Sequence, residues 1–258
     1  MDHRRIQRAL FRMQLDPGFA ERVRAREPDA IASAALGAGE LELLASADPA
    51  GVSADCDGKR RAQFLRNVTS EFGMSLAVAR VPDLVERFTA SREFHQAVSR
   101  DESLPLAFAD YLTAASLARG IGALAALERM MALARRTPPP TLGVGTGQIM
   151  LAPCTTLVRL PLGTFDAAAR VRSALDRGEP VPERLDVRSP PFERVLLRRT
   201  PRPAPFRLPD VEVEPLSPAL GELLARAERP RPRAELAADA ELDEVVADLL
   251  GQGILVEG

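Results

Sequence analysis

Val211-Glu212-Val213-Glu214, followed by Pro215-Leu216-Ser217-Pro218, decides how the last quarter of this chain folds. β-Branched residues alternate with carboxylates at period 2, the pattern of a strand with one buried face. Ser217 then supplies an N-cap and Pro218 a first helical turn, so a helix opens at once through Ala219 to Arg226. Upstream, Glu193 to Arg199 and Phe206-Arg207-Leu208 read as two further extended segments. Downstream, Arg233–Ala238 and Glu241–Leu250 read as helices, the second stopping at Gly251-Gln252-Gly253 before Ile254-Leu255-Val256. Three strands followed by three short helices make a winged-helix layout, which serves two different ends: reading DNA or holding a peptide.

The third helix separates these. A DNA reader places it in the major groove, where phosphates demand Lys and Arg. Here it carries Glu241, Asp243, Glu244 and Asp248 and no basic residue. A DNA-binding regulator is therefore the second reading. The first is a layout that resembles the recognition element of pathways that modify ribosomally made peptides, in which a leader peptide adds a strand to an open sheet edge. The expected contacts are Val211, Glu212, Val213, Glu214 and Leu216, with a groove from Leu242, Val245, Val246 and Leu249 of the third helix. Ten of the 22 prolines lie between Pro180 and Pro218. Proline cannot donate to a ladder and belongs at strand ends and edges, so a small sheet, open at one side, is expected.

The chain of 258 residues carries a net charge of −2, with no global signature of nucleic-acid binding. Its longest apolar runs fall short of the ~18 residues of a membrane span, and the N-terminus lacks a signal-peptide core. A cytoplasmic protein that does not bind membranes is expected. Cys56, Cys154, His3 and His95 are isolated in sequence; this is no metal-type spacing, and no metal or cofactor is expected on this chain. No nucleophile–base pair or paired-carboxylate motif stands out, so the chain is expected not to be an enzyme. Gly143-Val144-Gly145-Thr146-Gly147 fails as a phosphate loop, having no Lys-Ser or Lys-Thr after it.

Most of the remaining chain reads as helix. Ile6, Leu10 and Met13 line one face, and Asp16-Pro17 caps a second segment. Asp48 to Gly58 reads as a loop. Phe64, Val68, Phe72 and Leu76 recur every four residues, and Leu104 to Leu133 is apolar enough for the centre of a bundle. Gln148–Leu151 and Thr155–Leu160 read as short strands, and Phe165–Leu175 as an amphipathic helix. The expected architecture is α+β, mainly α: a helical domain over 1–137, a connecting segment over 138–190, and a winged-helix-like peptide recognition domain with a three-stranded sheet over 191–258.

With both halves read, the chain resembles the partner subunits of multinuclear non-haem iron oxidative enzymes, of the methanobactin and thiaglutamate type. The resemblance rests on Phe64-Leu65-Arg66-Asn67-Val68, Val81-Pro82-Asp83-Leu84-Val85, Glu93-Phe94, Phe108-Ala109-Asp110-Tyr111-Leu112 and Leu124-Ala125-Ala126-Leu127-Glu128. It continues with Arg194-Val195-Leu196-Leu197-Arg198, leading into Val213 to Leu224. It spans roughly residues 60 to 258; Leu104-Pro105-Leu106 and Arg129 depart from the family pattern. The resemblance implies a non-catalytic subunit that binds a precursor leader and docks on a triose-phosphate-isomerase-type barrel. That barrel holds the iron and oxidises the presented residue, often a cysteine. It also implies a partner interface involving Arg66, Asn67, Phe108, Tyr111 and Glu128.

Overall fold

The computed structural model describes residues 2–46, 54–81, 83–100, 102–114, 119–138, 145–200, 208–237 and 239–258. The fold is α+β and mainly α, with two three-stranded antiparallel sheets among the described residues. The chain divides into two compact units, Met1–Leu117 and Ala118–Gly258.

The first unit is helical: α1 (His3–Leu15), α2 (Pro17–Arg24), α3 (Pro28–Ser33), α4 (Ala38–Ser46), α5 (Ala54–Glu71), α6 (Gly73–Ala79), α7 (Leu84–Thr89), α8 (Arg92–Arg100) and α9 (Leu104–Ala114). The loop expected over 48–58 is shorter: α5 already runs from Ala54 and includes Asp55, Asp57 and Gly58, while residues 47–53 lie outside the described segments. Ile6, Ala9, Phe19, Val23, Ala30, Leu36 and Leu44 form one core cluster. A second is aromatic. Phe88 meets Phe94, Phe108 and Tyr111 at centroid distances of 5.5, 5.1 and 5.4 Å, and Phe72 meets Phe108 edge-on at 5.4 Å. Such tilted and edge-to-face pairs add to the energy of plain burial.

Between α1 and α2 the chain turns on Asp16. Its side chain accepts from the Phe19 N–H at 2.9 Å, capping α2, and its Oδ2 lies 2.9 Å from Nε2 of His95. Burial alone would push this carboxyl up; the hydrogen bonds from His95 and Phe19, with the charges of His95 and Arg22, outweigh that and hold it below the usual carboxylate range.

The second unit contains α10 (Arg119–Arg136), β1 (Gln148–Leu151), β2 (Thr155–Leu162), α11 (Thr164–Arg177), β3 (Arg188–Arg199), β4 (Val211–Pro215), α12 (Pro218–Arg226), β5 (Arg231–Pro232), α13 (Arg233–Leu236), α14 (Ala240–Gly251) and β6 (Leu255–Glu257). The sequence reading sets a boundary at Thr137. The compact division falls earlier because α10 packs on α11, β2 and β3 and so belongs with them. One sheet has the order β2-β3-β4 and the other β5-β1-β6. Of the expected strand at 206–208, Phe206 and Arg207 lie outside the described residues and Leu208 is in no strand. The third strand of the β3–β4 sheet is instead β2, paired along β3 from Thr155↔Arg198 to Pro161↔Phe192.

Val195, Leu196 and Leu197 in β3 are all buried. Successive strand residues point to opposite faces, so both faces of this sheet are covered. Leu196, with Leu157 of β2, joins a core containing Ile149, Leu151, Leu223, Leu224, Leu236, Val246, Leu249, Ile254 and Leu255. On the other face Glu193 holds α11: its carboxylate accepts from the N–H groups of Gly163 at 3.2 Å and Phe165 at 2.7 Å. These are orphan donors of a helix N-terminus that has no side-chain cap of its own. Gly163 is required there, since its φ is +88° and a Cβ would collide with the Asp186 carbonyl.

Replacing Asp16 by Ala removes a helix cap and a buried hydrogen bond with His95, and should cost about 2 kcal/mol near neutral pH. Because the folded carboxyl is held low, its contribution is complete above the ordinary carboxylate value of about 4 and lost as pH falls through the lower folded value. The stability gap between wild type and Asp16→Ala, measured by urea unfolding, should therefore close on acidification.

Candidate functional site

Among the described residues β4 is the outer strand of its sheet and pairs with β3 alone. Its register fixes which backbone groups face outward. The Leu216 N–H donates to the Arg194 carbonyl at 3.1 Å and the Thr200 N–H to the Asp210 carbonyl at 3.0 Å. In an antiparallel ladder, residues bonded to the neighbour alternate with residues that are not. Asp210, Glu212, Glu214 and Leu216 therefore bond inward to β3. Val211, Val213 and Pro215 turn their backbone groups outward, and among the described residues no hydrogen bond reaches the N–H of Val211 or Val213. Pro215 sits at an outward position, where its missing donor costs the ladder nothing. The exposed edge therefore offers two donors, on Val211 and Val213, and three acceptors, on Val211, Val213 and Pro215.

The side chains follow the same parity. Val213 stands opposite Leu197 and Val211 opposite Arg199, on the face of Val195 and Glu193; Val211 is buried and Val213 half-buried. Glu212 and Glu214 share the other face with Arg198, which donates to Glu212 at 2.8 Å and lies 3.3 Å from Glu214. One guanidinium between two carboxylates leaves this group of three side chains one negative charge in excess. Leu216 is half-buried against the core.

The opposite edge, β2, is better protected. The Thr155 N–H is spent on the Ala152 carbonyl at 2.9 Å, Pro161 has none, and the register shifts at Pro161/Leu162. The Arg159 guanidinium lies 4.1 Å from the Phe192 ring centroid on this edge. Bulges, prolines and charged residues are the usual means of blunting an edge; β4 carries Glu212, Glu214 and a terminal proline, but its pairing has no register shift and, among the described residues, no turn takes up its outward donors.

The third helix does not supply the expected groove. Val246 is wholly inaccessible and Leu249 nearly so, both packed in the core of the second unit. Val245 packs on the same core, and Leu242 is half-buried. α14 lies against β6 and α13, so its apolar stripe is used in folding. Its outer surface carries exposed Glu241, Glu244 and Asp248, while Asp243 accepts from Arg233 at 2.6 Å.

In the first unit, Phe108 is fully buried at the centre of the aromatic cluster and is a core residue, not an interface residue; Tyr111 is half-buried, ring against ring with Phe108 and Phe88. Arg66 and Asn67 are exposed on α5, where Asn67 accepts from Gln63 at 2.8 Å. Glu128 of α10, in the second unit, is buried. Burial removes Phe108 and Glu128 from a docking surface; Arg66, Asn67 and part of Tyr111 are accessible.

No group of three or more His, Cys, Asp or Glu side chains suited to a metal ion occurs among the described residues, nor does any of their helices have the length and apolarity to cross a membrane. No protein-family model matches the chain, and no curated protein sequence does either.

Amide exchange should report the parity of β4 directly: the Val211 and Val213 amides should exchange at least about tenfold faster than those of Glu212 and Glu214. Val246→Glu should unfold the second unit, costing about 3 kcal/mol or more by burying an unpaired carboxylate, as seen in circular dichroism and thermal melting.

Proposed function

We propose that this chain is a non-catalytic partner protein that holds the leader of a ribosomally made precursor peptide as a fourth strand on β4. The observation that carries this reading is the outward pair of N–H groups on Val211 and Val213, on the less protected edge of a sheet whose two faces are already covered. Strand addition takes affinity from main-chain bonds and selectivity from alternate side chains. A leader residue beside Val213 would meet apolar surface. Its neighbours would meet Glu212 and Glu214, whose one uncompensated charge favours a basic side chain.

The module around the edge is read as winged-helix-like. α12, β5, α13 and α14 follow in the order of such a fold, with β6 after them, and β1 from earlier in the chain fills the middle of the small sheet. The exposed carboxylates of α14 would repel a phosphate backbone, which favours peptide over DNA. By the family resemblance, the oxidative chemistry and its iron belong to a barrel enzyme on another chain, docked through the first unit near Arg66, Asn67 and Tyr111. Tethering the leader raises the local concentration of the residue to be modified.

The parity of β4 supplies the test. Val213→Pro removes an outward donor and leaves every β3–β4 bond in place, whereas Glu212→Pro breaks the ladder. With a precursor leader peptide that the wild-type chain binds, Val213→Pro should weaken binding about tenfold, or 1.4 kcal/mol, with an unchanged circular dichroism spectrum. Unchanged affinity in the folded Val213→Pro protein would place the peptide elsewhere.

A further inference from the structure

The edge of β4 has one competitor that is always at hand: the same edge on a second copy of this chain. Strand edges with unpaired backbone groups are templates for one another, and the outward groups here are self-complementary. Two copies related by a two-fold axis would pair antiparallel. With Val213 opposite its own symmetry mate, the two Val213 residues exchange both bonds, and each Val211 N–H reaches the Pro215 carbonyl of the other copy. With Val211 opposite Val213, those residues exchange both bonds, and the axis repeats the pair. Either register uses all four valine donors of the two edges. The backbone alone therefore gives no reason for β4 to stay single.

The side chains supply one. Asp210, Glu212 and Glu214 stand at i, i+2 and i+4 on the face shared with Arg198, and the Thr200–Asp210 bond carries the same register one step beyond the strand. Asp210 and Glu212 are exposed and Glu214 is half-buried. Arg198 lies 2.8 Å from Glu212 and 3.3 Å from Glu214, so it is already shared within its own copy. Three carboxylates and one guanidinium leave these four side chains two negative charges in excess. The first register sets Glu212 opposite Glu214 of the other copy, twice. The second sets Glu212 opposite Glu212, and Asp210 opposite Glu214. All three positions bond inward to β3, so across two facing edges they form the non-bonded pairs, the closer kind, with Cα atoms about 4.5 Å apart. Like charges directly opposite one another destabilise a pairing.

We propose that Asp210, Glu212 and Glu214 are the specificity residues of the β4 edge: they keep the edges of two copies apart and reserve the edge for a strand with basic residues opposite Glu212 and Glu214. The exclusion of a second copy follows from β4 by itself; that the admitted strand is a peptide leader rests on the function proposed above. A basic strand gains twice, because it neutralises the excess charge and finds the edge unpaired.

The chain itself provides the probe. Glu212→Lys/Glu214→Lys turns the edge into a basic strand with the same outward backbone groups. Wild type, this variant and their equimolar mixture should be compared at neutral pH and an ionic strength of about 0.1 M, by sedimentation and by amide exchange at Val211 and Val213. Alone, each should leave these two amides unprotected up to about 1 mM. The mixture should protect them and form a one-to-one complex at least about tenfold tighter than either self-association, weakened by added salt. Val213→Pro in the wild-type member should weaken that complex about tenfold. The proposal is overturned if wild type alone protects Val211 and Val213 as its concentration rises, if the mixture does not protect them, or if Val213→Pro leaves the mixed complex unchanged. Should the lysine variant not fold, Glu212→Gln/Glu214→Gln decides: protection of Val211 and Val213 that grows with its concentration supports the proposal, and its absence contradicts it. No leader enters this experiment, so a failure of the peptide reading leaves its outcome unchanged.

Discussion

Three consecutive buried residues in β3, Val195, Leu196 and Leu197, impose the constraint on which the second unit depends. A strand buried on both faces needs a layer on each side of its sheet. Leu196 meets the core built by α12, α14 and the small sheet, while Glu193, one face over, pins the start of α11. Once both faces are spent in this way, the sheet can present only its edges. Recognition by this unit is then a question about backbone groups on β2 and β4, and only secondarily about side chains.

Between the two edges, local chemistry decides. On β2 a turn consumes one donor, a proline removes another and the register shifts at the far end. On β4 the proline occupies an outward position at the terminus, and among the described residues the two valine donors before it have no partner. Neither α10 nor α12 needs that edge: α10 packs against the sheet through its face, and α12 lies on β2 and β3. An unpaired edge of this kind would be a hazard for self-association unless a partner strand uses it.

Much of this was legible in the sequence. The alternation Val211 to Glu214, the Ser217-Pro218 helix start and the run Gln148–Leu151 all mark elements that the structure contains at nearly the same bounds. Pairing partners were not legible, because register depends on contacts between distant segments: nothing in Thr155–Leu162 announces that it flanks β3. Val246 and Leu249 show a second kind of limit. Amphipathic periodicity finds the apolar face of α14 but is the same whether that face meets a core or a ligand. Phe108 misleads for the same reason. Glu193 carries no local signal at all, since the N–H groups that it caps lie 28 and 30 residues away. In the first unit, Asp16-Pro17 was readable as a cap, but its bond to His95 and the burial of Arg12 against Phe19 and Ser33 arise only when α1, α2, α3 and α8 come together.

The most direct measurement of the central claim is an isotope-filtered NOESY spectrum of the labelled chain with unlabelled leader peptide. Cross-strand contacts from leader Hα and amide protons to Val211, Val213 and Pro215, and none to Leu157 or Arg159, are the result that strand addition on β4 requires. Contacts confined to β2, or to side chains with no backbone pairing on β4, would contradict it.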